Sequence, residues 1–195
     1  AGRSWGDVQK SIQEYLIGKP DERGTGMIPA DLIVGYGPQV ANTGCIEHVK
    51  VRHVSGGTSY LYFKSYEQPV LSFEMTNRDY IRLDEEPDYK RYAACVQRFR
   101  GHTRDGRLLL TFTPEEGATE VVQLFMWEMS NHITKEEFDK SSRAVVVISQ
   151  YDVPHKTDEE IEIGALNMDP ARRAAKIHGQ IAFGKGAVYP VEEST

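Results

Sequence analysis

Between Asp79 and Thr113 the chain orders a strand-like segment, an amphipathic helix and a second strand-like segment, and this order constrains the fold more than any other feature. Asp79 to Leu83 and Arg107 to Thr113 carry the aliphatic, aromatic and threonine side chains that fit a pleated surface. Between them, Pro87 to Phe99 sets Tyr92, Cys95, Val96 and Phe99 at i, i+3, i+4 and i+7. That spacing lines one helical face, with Pro87 in the first turn, where its missing N–H is not needed. Strands joined through a helix pair in parallel, so the expected fold is α/β, a mainly parallel sheet flanked by helices. Ala144 to Tyr151 reads as a further strand.

The flanking segments have local signals of their own. Val8, Ile12, Tyr15 and Leu16 give helical spacing to Asp7–Ile17, which stops at Gly18-Lys19-Pro20. The stretch to about Pro38 is broken by Gly and Pro and reads as loop. In Ile46 to Val54, Val49 and Val51 alternate with Lys50 and Arg52, and Gly56-Gly57 turns that segment into Ser59 to Tyr66 as a hairpin. Thr134 with Glu137 and Thr157 with Glu160 have capping-box spacing, and Asp169-Pro170 opens a last helix closed by Gly179. Gly184-Lys185-Gly186, before Val188-Tyr-Pro190, reads as a turn leading out of the domain.

A length of 195 residues suits one domain, or a domain with an appendage, and a core that needs no metal or disulfide. Lys and Arg number 23 against 29 Asp and Glu, a net −6, which argues against a protein that coats nucleic acid with a generally basic surface. Arg78 to Arg107 nevertheless carries a small excess of bases. Cys45 and Cys95 form no C-x-x-C and fit a reducing compartment; Cys45 and His48 are half a zinc site with no second half. No run approaches the ~18 apolar residues of a membrane-spanning helix, so a soluble, intracellular protein is expected.

The sharpest chemical signal is Tyr80-Ile-Arg-Leu-Asp84-Glu85-Glu86, a strand ending in three carboxylates. Ligands of parallel sheets bind at the carboxyl ends of the strands. In P-loop ATPases the first acid there holds Mg²⁺, usually through water, and the next activates the attacking water. Thr111 and Thr113 end the neighbouring segment, where a hydroxyl could sense a γ-phosphate. The phosphate-cradling G-x-x-x-x-G-K-[ST] does not occur, since neither Gly18-Lys19 nor Gly184-Lys185 is followed by Ser or Thr. Gly2-Arg-Ser4-Trp-Gly6 matches G-x-S-x-G but lacks the preceding strand of a nucleophile elbow. His53, His102, His132 and His155 sit in separate segments without metal spacing.

Ser59-Tyr-Leu-Tyr-Phe-Lys-Ser-Tyr66, Asp79-Tyr-Ile-Arg-Leu-Asp-Glu-Glu-Pro87, Leu110-Thr-Phe-Thr-Pro114 and Gly117-Ala-Thr-Glu-Val121, taken in order, resemble the large terminase subunit of tailed bacteriophages. The resemblance runs on through Asp152-Val-Pro-His155, Thr157-Asp-Glu-Glu160 and Gly184-Lys-Gly-Ala-Val-Tyr-Pro190. It implies a partial P-loop NTPase of the additional-strand type: residues 1–151 as a partial ATPase domain and 152–195 as its end and the linker toward a nuclease domain. It implies Asp84 as the Walker B acid for Mg²⁺, Glu85 as the catalytic carboxylate and Thr111 to Thr113 as the coupling motif. The transition-state arginine would be Arg98 or Arg91, seven apart on one helix face.

The complete motor would use ATP and Mg²⁺ to drive viral double-stranded DNA into a procapsid, gripping the phosphate backbone without regard to sequence. Its partners would be the portal protein, the small terminase subunit and further copies in a ring, with no membrane. Its place would be the cytoplasm of the infected bacterium, at the portal vertex. Arg82 inside the Walker B strand and Lys176 in the linker helix depart from the family pattern. Without a phosphate loop, the expectation is an internal segment or a split or degenerate motor, unable by itself to hydrolyse ATP and binding neither cofactor tightly. The alternative is a non-catalytic interaction module docking on portal or other terminase subunits.

Overall fold

In the computed structural model, residues 1–75, 77–98, 106–126 and 134–181 are described. They divide into two units, Ala1–Thr111 and Phe112–Thr195.

The first unit opens with a helix whose start is fixed by Ser4. Its hydroxyl accepts from the Asp7 N–H while the Asp7 carboxylate accepts from the Ser4 N–H, a reciprocal cap. That pairing also explains the G-x-S-x-G match: Ser4 is a helix cap, not a nucleophile. Helix α1 (Trp5–Asp7) runs into a π-helical stretch, Val8–Gln13, and then α2 (Glu14–Ile17), ending at Gly18 with φ 86°. The wider π turn brings Val8 and Gln13 both inward. Gln13 is fully buried and satisfied, donating to the Ile46 carbonyl at 2.8 Å and accepting from the Ile46 N–H at 3.2 Å. Tyr15, expected on the apolar face, is exposed instead.

Strands β1 (Ile33–Tyr36), β2 (His48–Arg52) and β3 (Thr58–Tyr62) form an antiparallel sheet in that order, and the β2–β3 hairpin turns where Gly56 takes φ 87°. Register pairs Val49 with Leu61 on the face toward the helix, and Lys50 with Tyr60 on the other. Val8, Ile17, Cys45, Ile46, Val49 and Phe63 form the core of this half. The expected alternation of β2 and the hairpin are both present.

Beyond α3 (Leu71–Glu74) come β4 (Tyr80–Asp84), α4 (Tyr89–Gln97) and β5 (Arg107–Thr111). β4 and β5 pair in parallel, from Tyr80 with Arg107 to Asp84 with Thr111, as the strand, helix, strand order requires. Two details differ from expectation. The cap of α4 is Asp88, whose carboxylate accepts from the Arg91 N–H, so Pro87 lies before the helix and not in its first turn. Tyr92 and Cys95 are buried as expected, but Val96 is exposed, and Phe99 lies outside the described residues.

Backbone pairing extends this parallel set. The Ala1 nitrogen donates to Arg82 O, and Asp84 N donates back to Ala1 O. Gly2 makes the equivalent pair with Lys64 and Tyr66. The larger hydrogen-bonded sheet of the described residues is nonetheless antiparallel, so the expected mainly parallel sheet is corrected to a mixed architecture. The reason is local: the short turn from His53 to Gly57, closed by the Gly56 N–H donating to the His53 carbonyl, can only return a strand antiparallel to its neighbour.

In the second unit, Thr119 caps α5 (Glu120–Phe125), and capping boxes open α6 (Lys135–Lys140) at Thr134 and Glu137 and α7 (Asp158–Ala165) at Thr157 and Glu160. α8 (Pro170–His178) follows and stops at Gly179, φ 66°. Ile161 and Ala165 pack with Ile177 between these last two helices, and Arg173 donates to the Ala165 carbonyl at the end of α7. The strand expected over Ala144 to Tyr151 is absent. Residues 142–149 have no regular structure and Gln150–Asp152 is a 3₁₀ turn. Its β-branched residues have strand propensity but no ladder partner, and propensity without pairing makes no strand. The turn expected around Gly184 lies outside the described residues.

Candidate functional site

The carboxyl ends of β4 and β5 bring acid and hydroxyl together. Leu83 is fully buried and anchors the strand, so the alternation of β4 turns Asp84 to the opposite, half-exposed face. Thr111 is its register partner, and the Thr111 hydroxyl donates to Asp84 Oδ1 at 3.0 Å. Arg82, on the same face two residues earlier, approaches the same oxygen at 3.4 Å. β5 ends here. Thr113 lies two residues beyond the strand, within the second unit, its carbonyl accepting from Glu115 N.

Glu85 takes φ 65°, a left-handed conformation that non-glycine residues rarely hold. Three contacts impose it. The Glu85 N–H donates to the Thr111 carbonyl at 2.7 Å, its own carbonyl accepts from the Tyr66 hydroxyl at 2.9 Å, and its carboxylate meets Arg3 at 3.5 Å. Arg3 is itself held through its carbonyl, which accepts from the buried Ser65 hydroxyl. Burial pushes the Tyr66 phenol well above its usual range, with Cys95, Asp84 and Glu85 adding to the effect, so it remains a donor. Burial likewise raises the Cys95 thiol to about 11, and both cysteines are free and buried.

Arg91 and Arg98, the candidate transition-state arginines, are both half-buried and hold backbone carbonyls. Arg91 pairs with Asp88 and donates to the Gln68 carbonyl at 2.9 Å. Arg98 donates to the Glu74 carbonyl. Both stitch α4 to the segment around α3, whereas the guanidiniums beside the acids are those of Arg3 and Arg82. Sequence reasoning missed Arg3 and Tyr66. Tyr66 and Arg3 each stand in a motif singled out for another reason, but Arg3 is eighty-two residues from Glu85 and nothing local connects the two.

Among the described residues no group of three or more His, Cys, Asp or Glu could hold a metal ion. One carboxylate with a neighbouring hydroxyl does suit Mg²⁺, which keeps most of its water and takes other ligands from substrate phosphates. No helix among these residues is long and apolar enough to cross a membrane.

Residues 1–195 match the family model described as terminase large subunit, T4likevirus-type, N-terminal. The chain belongs to this terminase family. It is also 29% identical, over 196 residues, to the large terminase subunit of Salmonella phage P22. That match covers 96% of this chain and 37% of the phage protein, so the chain spans little more than a third of its relative's length. No solved structure matches it.

Proposed function

We propose that this chain is the part of a terminase motor that carries the Walker B acid, the catalytic carboxylate and the coupling motif, in a P-loop NTPase that drives viral double-stranded DNA into a procapsid. The observation that carries the reading is the single strand-end cluster in which Thr111 holds Asp84 by its hydroxyl and Glu85 by its carbonyl. Asp84 would hold Mg²⁺ through water; with ATP bound, the ion neutralises phosphate charge. Glu85 would orient and deprotonate the attacking water, its conformation held by Tyr66 and its charge by Arg3. Thr111 links the two acids to β5, so a change felt by that strand reaches both. This is a catalytic strategy of positioning and electrostatics with little covalent work.

The motor's partners would be DNA, the portal, the small terminase subunit and further copies in a ring, in the cytoplasm of the infected bacterium. The transition-state arginine would come from the pool of Arg3, Arg91 and Arg98, of which Arg3 already faces Glu85. The test is ATP turnover by the full-length motor. Glu85→Gln should lose roughly 10²–10⁴-fold in kcat, and Asp84→Ala should lose activity that extra Mg²⁺ does not restore. Normal turnover in both variants rejects the reading.

A further inference from the structure

The outer face of the β2–β3 hairpin has a composition that the strand-end chemistry does not use. Lys50 and Arg52 project from β2 and Tyr60 and Tyr62 from β3, with His48 opposite Tyr62. The two tyrosine rings are nearly parallel, 22° apart in plane with centroids 6.3 Å apart, and the His48 ring lies 5.1 Å and 5.8 Å from them. Gly37 makes room for that imidazole: a Cβ there would fall 2.5 Å from His48 Nδ1. Arg78 lies over Tyr62 at 4.1 Å and Lys50 beside Tyr60 at 5.7 Å. Tyr60 is 52% exposed and Tyr62 38%.

None of Lys50, Arg52 and Arg78 pairs with a carboxylate among the described residues, although the whole chain carries −6. A solvated sheet face that needed only solubility would mix both signs and would not line up aromatic rings. Both tyrosines and Arg78 also line a cavity of about 380 Å³.

We infer that this hairpin face binds single-stranded DNA, the tyrosines stacking on unpaired bases and Lys50, Arg52 and Arg78 meeting the phosphates. Rings at the pitch of alternate strand residues present a stacking platform to a strand running over them, and every base has a face to offer. A duplex hides those faces, so the rings select unpaired DNA while the cations alone would take either form. The choice of DNA rests on the packaging reading; the stacking geometry uses neither Asp84 nor Glu85.

The experiment is fluorescence anisotropy of the whole chain, without nucleotide, against a labelled oligothymidylate and a blunt duplex of equal length. The single strand should bind more tightly. Tyr60→Leu with Tyr62→Leu should weaken it about tenfold or more while leaving the duplex unaffected. Lys50→Gln with Arg78→Gln should weaken both and flatten the salt dependence by about 0.7 per lost phosphate contact on the single strand. Tyr60→Leu alone, at the more exposed ring, covers the case in which the double variant does not fold, with circular dichroism as the check. Glu85→Gln should bind as the parent does, which separates this proposal from the ATPase reading. No binding at low salt, equal preference for duplex, or full affinity in a folded Tyr60→Leu variant overturns it.

Discussion

A glutamate at φ 65° costs stability that a glycine there would not, on the order of 1–3 kcal/mol for such a backbone. Glu85 therefore sits where side-chain chemistry and backbone preference conflict, and three hydrogen-bonding or ionic contacts hold it there. Glu85→Gly should raise the urea midpoint, by a stability gain of about 1 kcal/mol after the glycine's own entropy cost, while removing the carboxylate. A lower midpoint would mean that the Arg3 contact contributes more than an exposed ion pair normally does. The acids themselves were legible in the sequence because a strand running into three carboxylates is a local pattern. The contacts that shape Glu85 were not, because Arg3 and Tyr66 reach it only through the pairing of Gly2 with Lys64 and Tyr66 and of Ala1 with β4.

Elements with a complete local code formed as read. The β2–β3 hairpin had alternation and a Gly-Gly turn, and α6 and α7 had their capping boxes. Elements that depend on distant neighbours did not: Ala144 to Tyr151 had strand composition but no partner, and the π turn of Val8–Gln13 answers to Ile46, which no window around the helix contains. The capping boxes carry a pH dependence whose sign is fixed. The Glu160 carboxyl is held below its usual range, first by the Thr157 backbone N–H and then by the Thr157 hydroxyl, and Glu137 is held likewise by Thr134. These groups bind fewer protons folded than unfolded, so their contribution is present at neutral pH and is lost as pH falls through the carboxylate range. Far-UV circular dichroism should fall below about pH 4, and a Glu137→Gln, Glu160→Gln double variant should flatten that fall. An identical titration of the variant would remove the caps as its cause.

At the scale of the whole molecule, solubility is set against one exposed run. Val145, Val146, Val147 and Ile148 are all exposed, Val146 at 81%, and the run carries no charge. Such a segment is a template for intermolecular strand pairing. Val146→Lys should raise the concentration at which the chain stays in solution, with an unchanged circular dichroism spectrum; no gain in solubility would place the sticky surface elsewhere. Thr111, finally, is fastened to one acid by its side chain and to the next by its backbone. The two carboxylates are thereby geared to one tooth of β5: the strand cannot slip by a residue without disengaging both at once, and any partial displacement must change their spacing together.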